Sequence, residues 1–135
     1  MMSSPAGSIH HIELWVPDVE RAARQWGWLL TQLGYRDYQQ WEYGRSWQCR
    51  DVYIVIEQSP AMRGLSHDRL RPGLNHLAFH AGAPTTVDAI TTSAAEHGWT
   101  LMFADEHPHA GGEHTYAAYL VNDDGFEVEL QAHHR

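Results

Sequence analysis

The sequence predicts an α+β fold: two tandem βαβββ modules whose strands form a cupped, mostly antiparallel sheet. Three observations carry it. The stretch Gly73-Leu74-Asn75-His76-Leu77-Ala78-Phe79-His80-Ala81 restates Ser8-Ile9-His10-His11-Ile12-Glu13-Leu14-Trp15-Val16 with small changes. In each copy a histidine opens an alternating strand, and a helical pattern follows. A Gly-aromatic pair then closes the helix, with Gly34-Tyr35 starting 23 residues after His11 and Gly98-Trp99 starting 22 after His76. Similarity of this kind marks one structural unit used twice.

Module one covers about residues 9–58. Residues 9–16 alternate, with Ile12, Leu14 and Val16 on one face and His11, Glu13 and Trp15 on the other, the period of a half-buried strand. Pro17 breaks the strand, and Asp18 is a good N-cap. Val19, Ala22, Ala23, Trp26, Leu29, Leu30 and Leu33 share one helical face, which Gly34 ends. The aromatic and polar run Tyr35–Trp41 leads into a turn at Tyr43-Gly44. Ser46–Cys49 and Val52–Gln58 follow as strands, the latter with Tyr53, Val55 and Glu57 on one face. Residues 59–72, holding two prolines, Gly64 and three arginines, read as the linker between modules.

Module two covers about residues 73–131. Its first strand places His76, Ala78 and His80 opposite Leu77, Phe79 and Ala81. Thr85 and Asp88 have the spacing of a capping box for a helix running to His97, with Val87, Ile90 and Ala94 facing inward. A strand at Thr100–Asp105 and a Gly/His-rich loop at Glu106–His114 come next. Thr115–Val121 and Phe126–Gln131 are the last strands, joined by the turn Asn122-Asp123-Asp124-Gly125. Phe126, Val128 and Leu130 share one face; Glu127, Glu129 and Gln131 share the other.

The bulk properties narrow the function. A chain of 135 residues, 43% hydrophobic, supports one domain (1–135) with a real core. No apolar run approaches the roughly 20 residues of a membrane helix. The first residues show no signal pattern, and Cys49 is alone, so a cytoplasmic protein without a membrane partner is expected. A formal charge of −8 argues against a nucleic-acid partner. The nine basic residues are all arginine, which excludes Schiff-base lysine chemistry. Of the histidines, His107, His109, His114, His133 and His134 fall in the loop or the tail and are expected in solvent.

The polar strand faces together collect His11, Glu13, Glu57, His76, His80, Glu127 and Glu129. Carboxylates crowded on one face cannot all stay ionised unless something cationic sits among them, and a divalent metal is the simplest remedy. Glu127 belongs toward the rim, solvated or paired with an arginine.

Four marks, in order on the repeat, resemble the vicinal oxygen chelate superfamily. They are His11-Ile12-Glu13-Leu14-Trp15-Val16-Pro17-Asp18, Tyr53-Ile54-Val55-Ile56-Glu57, Asn75-His76-Leu77-Ala78-Phe79, and Asn122-Asp123-Asp124-Gly125-Phe126-Glu127-Val128-Glu129-Leu130. The last is similar to the ending D-P-D-G-x-x-[IV]-E-L, with Asn122 and Asp123 replacing Asp and Pro in its turn. That superfamily includes glyoxalase I, extradiol dioxygenases, methylmalonyl-CoA epimerase, fosfomycin-resistance enzymes and bleomycin-binding proteins. The resemblance implies metal ligands at His11, Glu57, His76 and Glu129. It also implies one divalent ion (Ni, Zn, Co, Mn or Fe), a small-molecule substrate and a homodimer.

The function so implied is a metal-dependent enzyme of the glyoxalase/epimerase type, a lyase or isomerase acting on a substrate with vicinal oxygens. A metal-stabilised enediolate and a proton transfer by Glu129 or Glu57 would carry the reaction. Two alternatives stand beside it. Fe(II) dioxygenase chemistry would use His11, His76 and Glu129, and a metal-independent, antibiotic-resistance-type protein would bind an aromatic ligand. Glu13 and His80 are candidates for orienting substrate or for hydrogen bonds that hold the ligands in place. Trp15, Tyr53 and Trp47 are candidates for an aromatic cleft.

Overall fold

A computed structural model describes residues 3–133, so His134 lies outside the described residues. The chain forms two compact units, dividing between Leu65 and Ser66. Each is βαβββ with a four-stranded mixed sheet, two of its strand pairs antiparallel and one parallel.

Unit one runs β1 (His11–Trp15), α1 (Val19–Gln32), β2 (Arg36–Trp41), β3 (Gly44–Cys49) and β4 (Val52–Glu57), with strand order β1-β4-β3-β2. The helix starts where Asp18 Oδ1 accepts from the Arg21 N–H at 3.0 Å. Just beyond its end, Gly34 has a φ of +94°, a conformation glycine adopts without a Cβ penalty. Val19, Ala22, Trp26, Leu29 and Leu30 are buried along α1, while Ala23 and Leu33 stay half-exposed. Leu14, Val16, Ile54 and Ile56 are buried in the sheet on the helix side. Full burial of each such side chain stabilises the fold by about 1.5–3 kcal/mol before entropy is counted. A bulge between Asp37 and Gln40 interrupts edge strand β2, and there the Gln39 N–H donates to Ser46 Oγ.

Unit two runs β5 (His76–Gly82), α2 (Pro84–Ser93), a 3-10 turn (Ala94–His97), β6 (Trp99–Met102), β7 (Ala117–Asn122) and β8 (Glu127–Ala132), in order β5-β8-β7-β6. The expected capping box does not form. Ala83 is the N-cap, without a side-chain hydrogen bond, and Pro84 opens the helix with its φ already set. Asp88 instead accepts from the Tyr116 hydroxyl at 2.5 Å. Strand β6 stops at Met102 rather than Asp105, because Phe103 turns to a φ of +54° and leaves the sheet. Val87, Ile90, Trp99, Leu120, Phe126, Val128 and Leu130 form the core. In the β7–β8 turn, Asn122 Oδ1 accepts from the Asp124 and Phe126 N–H groups, the role its short side chain suits. No helix among the described residues is long and apolar enough to cross a membrane.

Candidate functional site

In unit two the ladder fixes which side chains share the polar face. His76 is level with Glu127, Ala78 with Glu129, and His80 with Gln131, while β7 sets Tyr119 beside Glu129. From this register the His76 imidazole reaches diagonally to Glu129, with Nε2 3.1 Å from Oε1. Gln131 donates to the second Glu129 oxygen at 2.7 Å. Glu129 is only 6% exposed. Burial, then the charge of Glu129 and the hydrogen bond to it, raise the Tyr119 phenol above its ordinary pKa, so Tyr119 remains a neutral donor.

The other imidazole nitrogen is held as well. His76 Nδ1 is 2.7 Å from Asn75 Oδ1, and Asn75 Nδ2 donates to the Arg69 carbonyl at 3.1 Å. An amide nitrogen that meets a carbonyl must be the donor, which makes Oδ1 the acceptor and puts the proton on His76 Nδ1. In the neutral ring Nε2 then carries a lone pair and faces a carboxylate. That contact is favourable only with a proton or a cation between them.

Glu127 is buried, not solvated. Its Oε1 lies 3.0 Å from Arg69 Nη1, an ion pair whose angles fall short of a hydrogen bond. Arg69 escaped notice in the sequence because it stands in an aperiodic stretch. His80 is exposed, level with Gln131 and two positions beyond the Glu129 row.

Unit one arranges its residues differently. His11 is level with Tyr53, Glu13 with Val55, and Trp15 with Glu57. Glu57 is therefore four residues further along than the position opposite His11, and the two are not brought together. The His11 ring stacks on Tyr53 at 4.8 Å between centroids, and His10 meets both rings edge-on. Glu13 Oε2 accepts from Trp15 Nε1 at 2.6 Å. Glu57 Oε1 accepts from Trp41 Nε1 at 3.3 Å, the indole reaching across Gly44, which separates them in the ladder. A Cβ on Gly44 would collide with the Trp41 ring and lie 2.7 Å from the Ile56 carbonyl oxygen.

Trp47 stands apart from this face. It is level with Ile54, is 5% exposed, and lines a groove of about 500 Å³ with Ala23 and Gly27 of α1. Of the arginines, Arg21 pairs with Asp18 and Arg45 with Glu20. Arg36 and Arg50 have no ion pair among the described residues, and with Gln48 and Asp37 they line a second groove of about 480 Å³.

For a divalent metal, His76 Nε2 and Glu129 offer a suitable imidazole–carboxylate pair. Among the described residues no group of three or more His, Cys, Asp or Glu side chains is placed to hold an ion. The fit is thus one pair in unit two, with no matching His–Glu pair in unit one.

A profile described as the Glyoxalase/Bleomycin resistance protein/Dioxygenase superfamily matches residues 10–119. YqjT of Bacillus subtilis, an uncharacterized protein, is 44% identical over 126 residues, 92% of this chain and 98% of that one. The crystal structure of a candidate glyoxalase from Bacillus halodurans is 38% identical with a TM-score of 0.89, covering 95% of this chain and 97% of that one. Lactoylglutathione lyase from Agrobacterium tumefaciens shares the fold at 18% identity and a TM-score of 0.64, over 96% of each chain.

Proposed function

Because the chain belongs to the glyoxalase/bleomycin resistance protein/dioxygenase superfamily, we propose that it is an enzyme that moves a proton beside a carbonyl of a small substrate with vicinal oxygens. This is lyase or isomerase chemistry of the glyoxalase/epimerase type. The observation that carries the reading is the His76–Glu129 contact, in which every other polar atom of both groups already has a donor or an acceptor.

Glu129 is the proposed base. It is buried, close to water-poor surroundings that strengthen its interactions, and its carboxylate is fixed by Gln131 and Tyr119. His76 is aimed at it with Nε2 free to share a proton. Glu57 is the weaker candidate, since its side chain accepts from an indole N–H and, within unit one, His11 stands four residues away along the ladder. A divalent ion, held by His76 Nε2 and Glu129, would supply Lewis acidity toward the substrate oxygens. His11 and Glu57, the remainder of the implied ligand set, rest on family resemblance alone, and their offset along the ladder leaves His76 and Glu129 as the pair on which binding is proposed to depend. The proposal includes a homodimer and a reducing, cytoplasmic setting in which the free Cys49 stays a thiol.

A second reading, binding of a flat ligand without chemistry, is supported by the His10, His11, Tyr38 and Tyr53 ring cluster in unit one. One experiment separates the two. Deuterium incorporation from solvent beside the carbonyl of small α-hydroxy aldehydes and ketones would be followed by NMR. The enzyme reading expects exchange by the parent and a loss of about 10²–10⁴-fold in Glu129→Gln. Binding of an aromatic ligand with no exchange, together with no bound metal, would establish the second reading instead.

A further inference from the structure

We infer that Arg69 is a positioning residue for His76, selecting which imidazole nitrogen carries the proton. The inference rests on the reading of His76 and Glu129 as the reacting pair, and it assigns a role to a residue outside the βαβββ repeat.

Arg69 acts through two atoms. Its guanidinium pairs with Glu127 Oε1 at 3.0 Å, and that carboxylate is only 4% exposed, on the residue of β8 level with His76. Its carbonyl accepts from Asn75 Nδ2 at 3.1 Å. The ion pair thus places the carbonyl, the carbonyl orients the Asn75 amide, and the amide oxygen holds the proton on His76 Nδ1. If Asn75 turned over, two oxygens would face each other at Arg69, and an N–H would face the protonated Nδ1.

The segment around Arg69 is pinned on both sides. Asp68 Oδ1 accepts from the Leu70 N–H at 2.9 Å, and the Asp68 carbonyl accepts from the Arg71 N–H at 3.1 Å. The His67 ring lies flat on Phe126, with centroids 4.4 Å apart and planes 5° from parallel. Gly125 passes under the His67 carbonyl so closely that a Cβ there would be 2.7 Å from its oxygen. A loop needed only to join two modules has no use for this much fixation. A simpler role for Arg69, neutralising buried Glu127, explains the ion pair and leaves the Asn75 link without a purpose.

The test reads the tautomer directly. Long-range ¹H–¹⁵N correlation spectra of chelator-dialysed protein with a neutral His76 ring would be recorded in a Glu129→Leu background, where no carboxylate competes for a proton on Nε2. His76 would be assigned by the absence of its signals when His76→Gln is added. In that background the ring is expected in the Nδ1–H form. Arg69→Ala and Asn75→Leu are each expected to lower the Nδ1–H to Nε2–H ratio at least roughly fivefold, as loss of one ordinary hydrogen bond would. Arg69→Lys, which keeps the charge on Glu127, is expected to restore most of it. An unchanged ratio in folded Arg69→Ala overturns the inference. Should that variant fail to fold, an unchanged ratio in Asn75→Leu, which leaves the ion pair intact, overturns it equally. The readout needs neither turnover nor metal, so a failed deuterium-exchange test with a shifted tautomer would sink the proposed activity and spare the role of Arg69.

Discussion

Along the parallel β1–β4 ladder His11 stands level with Tyr53, and Glu57 stands level with Trp15. At about 3.3 Å per residue this separates the two proposed ligands by some 13 Å along the strands. The corresponding pair in unit two, His76 and Glu129, is offset by two residues rather than four, and their side chains touch. The position in unit one that matches Glu129 is held by Val55, and Gln131 matches Glu57.

This asymmetry predicts unequal roles for the two histidines. Metal analysis of protein purified without added metal should show the ion lost in His76→Ala and largely retained in His11→Ala. His11→Ala should instead cost about 0.5–1.5 kcal/mol in a urea melt, the worth of its stacking on Tyr53. Equal loss of metal in both variants would show that the offset does not matter to binding.

Asp18 should govern α1 in a pH-dependent way. Hydrogen bonding from the Arg21 N–H, against some desolvation, holds its carboxyl below the ordinary 3.8. A group with a lowered folded pKa stabilises fully above its unfolded value and loses that effect as pH falls through the folded value. Asp18→Ala should therefore be about 1 kcal/mol less stable at neutral pH. The gap should close below the ordinary carboxylate pKa, as paired urea melts would show.

Gly44→Ala should displace Trp41 from Glu57. The added methyl meets the indole and the Ile56 carbonyl, so a loss of about 1–3 kcal/mol is expected, with a change in tryptophan fluorescence. A variant as stable as the parent, with an unchanged spectrum, would show that the ring has room to yield.

Gly125→Ala should be worse, because it combines a backbone contact at His67 with a φ of +87°. Thermal unfolding should show a loss of about 1–3 kcal/mol or more. Gly34→Ala offers the contrast, having a similar φ and open space around it.

Much of the fold was readable in the residues themselves. Period-two alternation in β1, β4, β5 and β8 announced which side chains share a face, and Asp18, Gly34 and Gly98 marked helix ends by chemistry that acts locally. Alternation fixes the face of a strand but not how far it slides along a parallel neighbour. That is why His11 and Glu57 could be assigned one face and yet lie apart. Strand β3 does not alternate in burial at all, so Trp47 could be placed only through its ladder partner Ile54. The α2 start was misread for a different reason: Pro84 begins a helix without any side-chain cap, and Thr85-to-Asp88 spacing is common by chance. Arg69 left no trace, since its importance comes from what folds against it.

The pinning of residues 67–71 bears on how this protein could be taken apart or rebuilt. A repeat-based cut at Gly73 would give a piece holding every strand and helix of the second unit. It would nonetheless lack the carbonyl that orients Asn75. Anyone permuting the chain, grafting the unit or duplicating it should make the junction before Ser66. The unit that is inherited as a repeat and the unit that can aim a histidine are different lengths of chain.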